Sequence, residues 1–109
     1  MVDLDSSKIV GQFQMYQQQY QTILMQKEQL RLQKLEVENA LEELEVDKSK
    51  KAYKISGPIM IKKDVEDIKT ELGERNEDLE LRLKTLKRAE ERVTKNLKEI
   101  EEKVKKMMK

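Results

Sequence analysis

Apolar and aromatic residues in the first half of the chain recur alternately four and three residues apart. The spacing begins at Ile9 and holds over five heptads, with nine of eleven positions apolar or aromatic. These positions, here called the first seam, are Ile9, Phe13, Tyr16, Tyr20, Ile23, Lys27, Leu30, Lys34, Val37, Leu41 and Leu44. Such a pattern is typical of one helix of a coiled coil and predicts a helix over residues 6–48. Asp5, Ser6 and Ser7 offer N-caps at its start.

A second seam with the same spacing follows in the C-terminal half, again with nine of eleven positions apolar. Its positions are Leu72, Asn76, Leu79, Leu83, Leu86, Glu90, Val93, Leu97, Ile100, Val104 and Met107. The pattern predicts a helix over residues 64–108, with Asp64 as its N-cap and Asp67 near its positive end. Two such repeats exclude a disordered polar chain.

The apolar period changes to two between the helices, in AYKISGPIMIKK, residues 52–63. Gly57-Pro58 is a turn signal, and isoleucine favours strands, so the segment predicts a β-hairpin. Four large side chains share one parity and are expected to form one apolar face: Tyr53, Ile55, Ile59 and Ile61. An isolated two-stranded hairpin is marginally stable in water, so this face and the strand edges need partners.

The order helix, hairpin, helix predicts an all-α dominated fold, a long antiparallel coiled-coil hairpin with a single short β-hairpin between its helices. The whole chain, residues 1–109, is expected to form a single domain. In an antiparallel pair that turns near Gly57, the charged seam positions Lys27 and Glu90 fall nearly opposite one another. Polar seam residues often fix the register of such a pair.

Composition supports helices and argues against several classes of function. Charged residues make up 41% of the chain, yet 23 basic and 22 acidic residues nearly cancel, so nothing favours nucleic acid or an anionic membrane. Residues 48–63 carry six lysines and no acid, without a nucleic-acid recognition motif. There is no Cys, no His, no phosphate-binding glycine loop and no cluster with metal-ligand spacing. We therefore predict no enzyme, no cofactor and no metal.

Three segments carry a resemblance to a known family: YQQQYQTILMQKEQL (Tyr16–Leu30), AYKISGPIMIKK (Ala52–Lys63) and LELRLKTLKRAEERV (Leu79–Val93). Together with the element order, they resemble the β-type subunits of the prefoldin family over nearly the whole chain. The resemblance implies that hairpins of several subunits join into an intersubunit β-barrel. Tyr53, Ile55, Gly57, Ile59 and Ile61 are the assembly residues that we expect. The short N-terminal extension and Pro58 depart from the usual pattern and leave the assembly state open.

The resemblance also implies an ATP-independent holdase that grips unfolded proteins at coiled-coil tips and passes them to a group II chaperonin. The uncharged stretch, Ile9–Gln26, fits this role because it contains seven glutamines, three aromatics and no charged residue. Amides cost less to desolvate than ions, and Met packs adaptably. We expect client-binding residues at Ile9, Val10, Phe13, Met15, Tyr16, Val104, Met107 and Met108. In the alternative interpretation the uncharged stretch is ordinary seam and the C-terminal methionines are a frayed end.

Expected partners are unfolded proteins, α-type subunits or further copies of the chain, and the chaperonin. No apolar run long enough for a membrane span and no signal peptide occur, which predicts a cytoplasmic protein. Two alternatives stay open at this point. One is a structural homo-oligomer or filament built through the hairpins, and the other is a plain coiled-coil scaffold in which the hairpin only caps the helices.

Overall fold

The computed structural model describes residues 4–46 and 51–107. Its elements are α1 (Leu4–Val46), β1 (Lys51–Ser56), β2 (Ile59–Asp64) and α2 (Val65–Met107). The two strands pair antiparallel in a two-stranded sheet. The predicted fold class, two long helices with one short β-hairpin between them, is confirmed.

The helix ends differ from the prediction. α1 begins at Leu4, so Asp5, Ser6 and Ser7 lie inside the helix and their prediction as N-caps is wrong. Helix stability in proteins comes mainly from the packed face, so a turn can extend past polar residues that would otherwise favour a cap. Asp64 is the last residue of β2 and directly precedes α2, as an N-cap would. The predicted ends at residues 48 and 108 lie outside the described residues.

The chain packs as two compact units, Met1–Gln29 with Lys84–Lys109, and Leu30–Leu83. The buried side chains of the first unit are Ile23, Val93 and Ile100, and those of the second are Val37, Val65 and Leu79. Burying a Val, Leu or Ile side chain stabilises the folded state by about 1.5–3 kcal/mol. The single domain over residues 1–109 stays a prediction.

Each predicted seam forms the buried face of its helix. Each position of the first seam, from Ile9 to Leu44, is buried or half-buried, as is each position of the second from Leu72 to Val104. Met107 is the exception because it is 39% exposed at the last turn of α2. The heptad spacing therefore identified the packing face of each helix.

Charged seam positions pair across the helices. In the first unit Lys27 Nζ donates a hydrogen bond to Glu90 Oε2 at 2.7 Å, which confirms the predicted pairing of these two residues. In the second unit Lys34 Nζ lies 3.8 Å from Glu80 Oε1 and 3.2 Å from Glu38 Oε1. These contacts let charged groups occupy a packing face, since each Lys keeps a carboxylate partner.

The hairpin register overturns one prediction. Tyr53 pairs with Lys62 and Ile55 with Met60, whereas Ile61 pairs with Lys54. Directly opposed residues of an antiparallel pair share a face. The apolar side chains are thus divided between two faces: Tyr53, Ile55 and Met60 on the first hairpin face, and Ile59 and Ile61 on the second. The expected single face of Tyr53, Ile55, Ile59 and Ile61 is wrong, because a two-residue turn places odd-numbered residues opposite even-numbered ones.

Gly57 and Pro58 form that turn. Gly57 has a φ of 59°, a conformation that costs glycine little and other residues more. Pro fixes a negative φ near −65° at the next position. A positive φ followed by a negative one is the pattern of a type II′ turn, whose twist matches that of a hairpin. Pro58 is therefore compatible with a tight hairpin.

Candidate functional site

The uncharged stretch lies on α1 within the first unit. Ile9, Phe13 and Tyr16 are half-buried seam residues, whereas Val10 and Met15 are 42% and 45% exposed. Exposure of Val10 and Met15 follows from their places outside the four-three spacing. Seam packing alone thus accounts for three of the five predicted client-binding residues of α1, and it leaves Val10 and Met15 available at the surface.

A groove of about 490 Å³ lies beside this stretch, between α1 and α2 of the first unit. Its lining, which defines the Met15 groove, is Met15, Gln18, Gln19, Thr22, Ile23, Ala89, Arg92, Val93 and Asn96. Ile23 and Val93 are buried, and Ala89 is half-buried. The Thr22 hydroxyl donates to the Gln18 carbonyl oxygen at 3.0 Å, so its polar atom is satisfied within α1.

The C-terminal candidates belong to the same unit. Val104 is half-buried on the second seam, and Met107 is partly exposed. Met108 lies outside the described residues. The structure thus places Met15 in a defined groove. It places Val104 on the seam of α2 and Met107 at the surface of α2.

The hairpin exposes large apolar side chains on both faces. On the first face Ile55 is 72% exposed and Met60 63%, and on the second Ile59 is 60% and Ile61 41% exposed. Tyr53 is also exposed, and its ring borders a hollow of about 350 Å³ with Leu44, Ile68 and Leu72. Ala52, Tyr53 and Lys54 border α1 and α2 at the base of the hairpin, but the large apolar side chains stay exposed on both faces. The hairpin is therefore an apolar surface of the kind that marks interaction sites.

A charged cluster joins the hairpin to α2. Lys63 Nζ donates to Glu71 Oε1 at 2.7 Å, and Lys54 Nζ donates to Glu71 Oε2 at 3.0 Å. These hydrogen bonds hold the pKa of the Glu71 carboxyl below its ordinary value. Lys54 lies on β1 and Lys63 on β2, so a single carboxylate of α2 holds both strands. We call these three residues the Glu71 clamp.

The base of the hairpin carries a second ion pair. Lys51 Nζ lies 2.8 Å from Asp64 Oδ1, and the two residues are directly opposed in the sheet. The hydrogen bond to Asp64 and the charge of Asp64 raise the pKa of the Lys51 ammonium. Of the lysines that the structure describes between residues 51 and 63, three thus have carboxylate partners in the same chain: Lys51, Lys54 and Lys63.

Within residues 4–46 and 51–107, no group of three His, Cys, Asp or Glu side chains is placed to hold a metal ion. Over the same part of the chain, neither helix offers an apolar stretch long enough to span a membrane.

Comparison with known proteins identifies the fold family. Residues 7–109 match the prefoldin subunit family. The chain belongs to the prefoldin family. Among curated relatives, prefoldin subunit beta of Archaeoglobus fulgidus is 42% identical over 86 residues, which cover 78% of this chain and 74% of the relative. Prefoldin subunit beta of Methanothrix thermoacetophila is 44% identical over 87 residues, covering 77% and 71%.

A solved structure agrees with these sequence matches. The crystal structure of the prefoldin beta subunit from Thermococcus strain KS-1 matches with a TM-score of 0.87 at 30% sequence identity. The match covers 98% of this chain and 95% of that chain. The resemblance to β-type prefoldin subunits is confirmed, and the chain is a subunit of this chaperone family, which is not known for enzymatic activity.

Sequence reasoning missed the Met15 groove and the Glu71 clamp. Ala89 signals the groove, since a small residue beside the second seam leaves space above Ile23 and Val93. Glu71 carries no comparable sequence signal, since many glutamates occupy the exposed faces of both helices.

Proposed function

We propose that this prefoldin subunit is an ATP-independent holdase that binds unfolded proteins through the uncharged stretch and the neighbouring C-terminal residues. The observation that carries the proposal is the exposure of Val10 and Met15 in a stretch of α1 that contains no charged residue. A solvated coiled-coil surface normally carries Glu and Lys beside the seam. Amides and methionine there favour contact with another chain instead.

Binding of this kind needs no reaction. Apolar side chains of an unfolded client contact Val10, Met15 and Met107, and glutamine amides pair with its backbone. Flexible side chains that repack suit many different partners. Each contact is weak, so several subunits acting together supply the avidity.

The hairpin is the proposed assembly element, through Tyr53, Ile55, Gly57, Ile59 and Ile61. Prefoldin β subunits form hetero-oligomers with other prefoldin subunits, and we propose α-type subunits, further copies of this chain, or both as partners. Pairing of strand edges in an intersubunit β-barrel satisfies the open hydrogen-bonding groups. Exposed apolar side chains on both hairpin faces support an assembly in which other subunits cover both faces. A hairpin that only capped a lone coiled coil would not need apolar side chains on both faces.

Release to a group II chaperonin in the cytoplasm completes the proposed function. A chaperonin that presents its own apolar surface competes for the client, and weak contacts allow transfer without nucleotide hydrolysis. A structural filament is the second candidate function, because exposed apolar groups on both hairpin faces also suit continued addition of copies.

The test is a triple variant, Val10→Glu with Met15→Lys and Gln19→Glu, all at exposed positions of the uncharged stretch. We expect loss of protection of a denatured protein from aggregation, measured by light scattering. Helix content by circular dichroism and assembly mass should stay unchanged, since surface substitutions cost within about 0.5 kcal/mol each.

The matched control places the same three charges elsewhere on α1, as Gln29→Glu, Gln33→Lys and Asn39→Glu, which are also exposed. This control should protect the client as well as the wild type does. Equal protection by both triple variants and the wild type would show that the uncharged stretch is ordinary coiled-coil surface. A filament is distinguished by native mass spectrometry with and without an α-type subunit, because its mass series is open-ended.

A further inference from the structure

The Met15 groove has an apolar floor and polar sides. Ile23 and Val93 are buried at 9% and 7% exposure, and the small side chain of Ala89 leaves space beside them. Gln18, Gln19 and Asn96 contribute amides to the lining. A volume near 490 Å³ lies within the range of about 300–1,000 Å³ that is usual for sites that take a small ligand. One or two large side chains of a peptide fit this space.

Charge in the groove is one-sided. Arg92 is the one charged residue of the lining, and the facing stretch of α1, Ile9–Gln26, contains no acid. Helix neighbours one turn away from Arg92 are Arg88, Ala89, Lys95 and Asn96, so none of them is acidic. The Arg92 guanidinium is therefore placed where a carboxylate from outside the chain is the complementary group.

Arg92 differs from the two lysines of the first seam, which have carboxylate partners within the chain. Lys27, one position of the first seam beyond Ile23, holds Glu90 at 2.7 Å within the chain, and Lys34 holds Glu80 and Glu38. Those lysines stabilise the helix pair. Arg92 follows Glu90 and Glu91 in the sequence, but the residues one turn away on α2 are basic or neutral, and the facing stretch of α1, Ile9–Gln26, carries no charged residue.

We propose that the Met15 groove selects segments of unfolded protein in which a large apolar residue is adjacent to an acidic residue. The inference rests on the proposed holdase function and adds a client preference to it. The apolar side chain contacts Ile23 and Val93, and the carboxylate accepts hydrogen bonds from Arg92. A guanidinium binds a carboxylate through two parallel hydrogen bonds, a geometry that Lys cannot reproduce.

The amides extend this recognition to the backbone of the segment. Gln18, Gln19 and Asn96 each offer a donor and an acceptor, which suits an extended peptide of any sequence. Basic segments are disfavoured, because Arg92 repels them. Salt screens exposed charges, so the preference for acidic segments should decrease as ionic strength rises.

The experiment measures binding of three labelled peptides to the full chain by fluorescence anisotropy. The three peptides have leucines at the same positions. They differ in the residues next to those leucines, which are aspartates in the first peptide, serines in the second and lysines in the third. For the wild type we expect the aspartate peptide to bind about three- to fivefold more tightly than the lysine peptide at low salt. The difference should shrink in high salt.

Variants assign the preference to the groove. Arg92→Glu should reverse the order of the aspartate and lysine peptides, and Arg92→Gln should make their affinities equal. Ala89→Leu should weaken all three peptides, because its side chain fills the space above the floor. Lys98→Glu is the matched control, since it makes the same charge change at an exposed position of α2 outside the lining. Circular dichroism checks that each variant keeps its helices.

Each outcome decides the proposal. A wild type that protects aggregating clients but binds the three peptides equally overturns the preference and leaves the holdase function standing. The same holds if Lys98→Glu reverses the order as Arg92→Glu does, because net charge and not the groove then selects the peptide. A wild type that neither protects clients nor binds any peptide overturns both. Reversal by Arg92→Glu alone supports the groove.

Discussion

The Met15 groove and the hairpin both expose apolar side chains, but their polar neighbours differ. Around the groove the polar groups are mainly amides, of Gln18, Gln19 and Asn96. In the hairpin they are lysines, of which Lys54 and Lys63 are held by Glu71. Amides adopt many hydrogen-bonding arrangements at low desolvation cost, whereas paired charges fix one geometry.

This difference fits the two kinds of contact that we propose for the two surfaces. A surface with adaptable polar groups suits many partners that bind weakly, as an unfolded client does. A hairpin fixed to α2 by the Glu71 clamp presents its strands in one orientation, which suits a defined partner strand. Four predictions test the contrast, beginning with the substitution expected to have the largest effect.

Both surfaces depend on the buried seams, and Leu79 tests this dependence. Leu79 is 3% exposed and the nearby Leu81 is 62% exposed. We expect Leu79→Ala to lower the free energy of unfolding by about 2–5 kcal/mol, because it removes buried contacts and leaves a cavity. Leu81→Ala should change it by less than about 0.5 kcal/mol. Urea denaturation followed by circular dichroism measures both. Equal losses would show that the seam does not carry the stability.

Charge placed on either hairpin face should abolish assembly. We expect Tyr53→Lys with Ile55→Lys, and separately Ile59→Lys with Ile61→Lys, to reduce the mass measured by light scattering while helices remain. The reason is that each pair lies on a different face, and both faces are exposed in the isolated chain. The Val10, Met15 and Gln19 triple variant should keep its mass. An unchanged mass in either double variant would show that its face stays in solvent.

The Lys27–Glu90 pair should contribute a smaller energy. Its side chains are 35% and 21% exposed, so the ion pair is partly screened by solvent. A double-mutant cycle with Lys27→Ala and Glu90→Ala should give a coupling of about 0.5–1 kcal/mol. Exchanging the two residues should restore most of the stability that either single charge reversal loses. Coupling near zero would contradict a structural role for the pair.

The Glu71 clamp should give the smallest effect, visible as a pH dependence. Hydrogen bonds from Lys63 and Lys54 lower the folded-state pKa of Glu71 below the ordinary value of 4.5. Its contribution to stability is therefore fully present above that value and is lost as the pH falls through the lowered pKa. A carboxyl NMR titration should show a higher pKa for Glu71 in Lys63→Met than in the wild type. No difference between the two would exclude the clamp.

Much of the architecture was predictable because it is local in sequence. The four-three spacing gave both seams, and every position from Ile9 to Leu44 is buried or half-buried as expected. The Lys27–Glu90 contact was also predictable, since antiparallel pairing about a turn near Gly57 leaves little freedom in which residues oppose each other. Exposure of Val10 and Met15 follows from their places outside the seam.

The candidate surfaces were only partly predictable. Apolar side chains of the hairpin were identified, but Met60 was assigned no role, although it lies on the same face as Tyr53 and Ile55. The volume of the Met15 groove depends on the distance between the surfaces of α1 and α2 next to one small residue, Ala89. No heptad pattern reports that spacing, because the residues flanking a seam can be large or small without altering the pattern.

The sequence by itself determined two helices with their packing faces, the place of the hairpin and the family of the chain. Periodicity records the helices, their packing faces and the hairpin, because a residue's face within one helix or strand depends only on its position in that element. The family follows instead from the resemblance carried by Tyr16–Leu30, Ala52–Lys63 and Leu79–Val93. Tertiary structure alone decided which residues of β1 and β2 share a face, since the turn sets the register between strands and a shift of one residue exchanges the faces. It likewise decided that Glu71 holds Lys54 and Lys63, because contacts between elements depend on their packing and no local pattern encodes them.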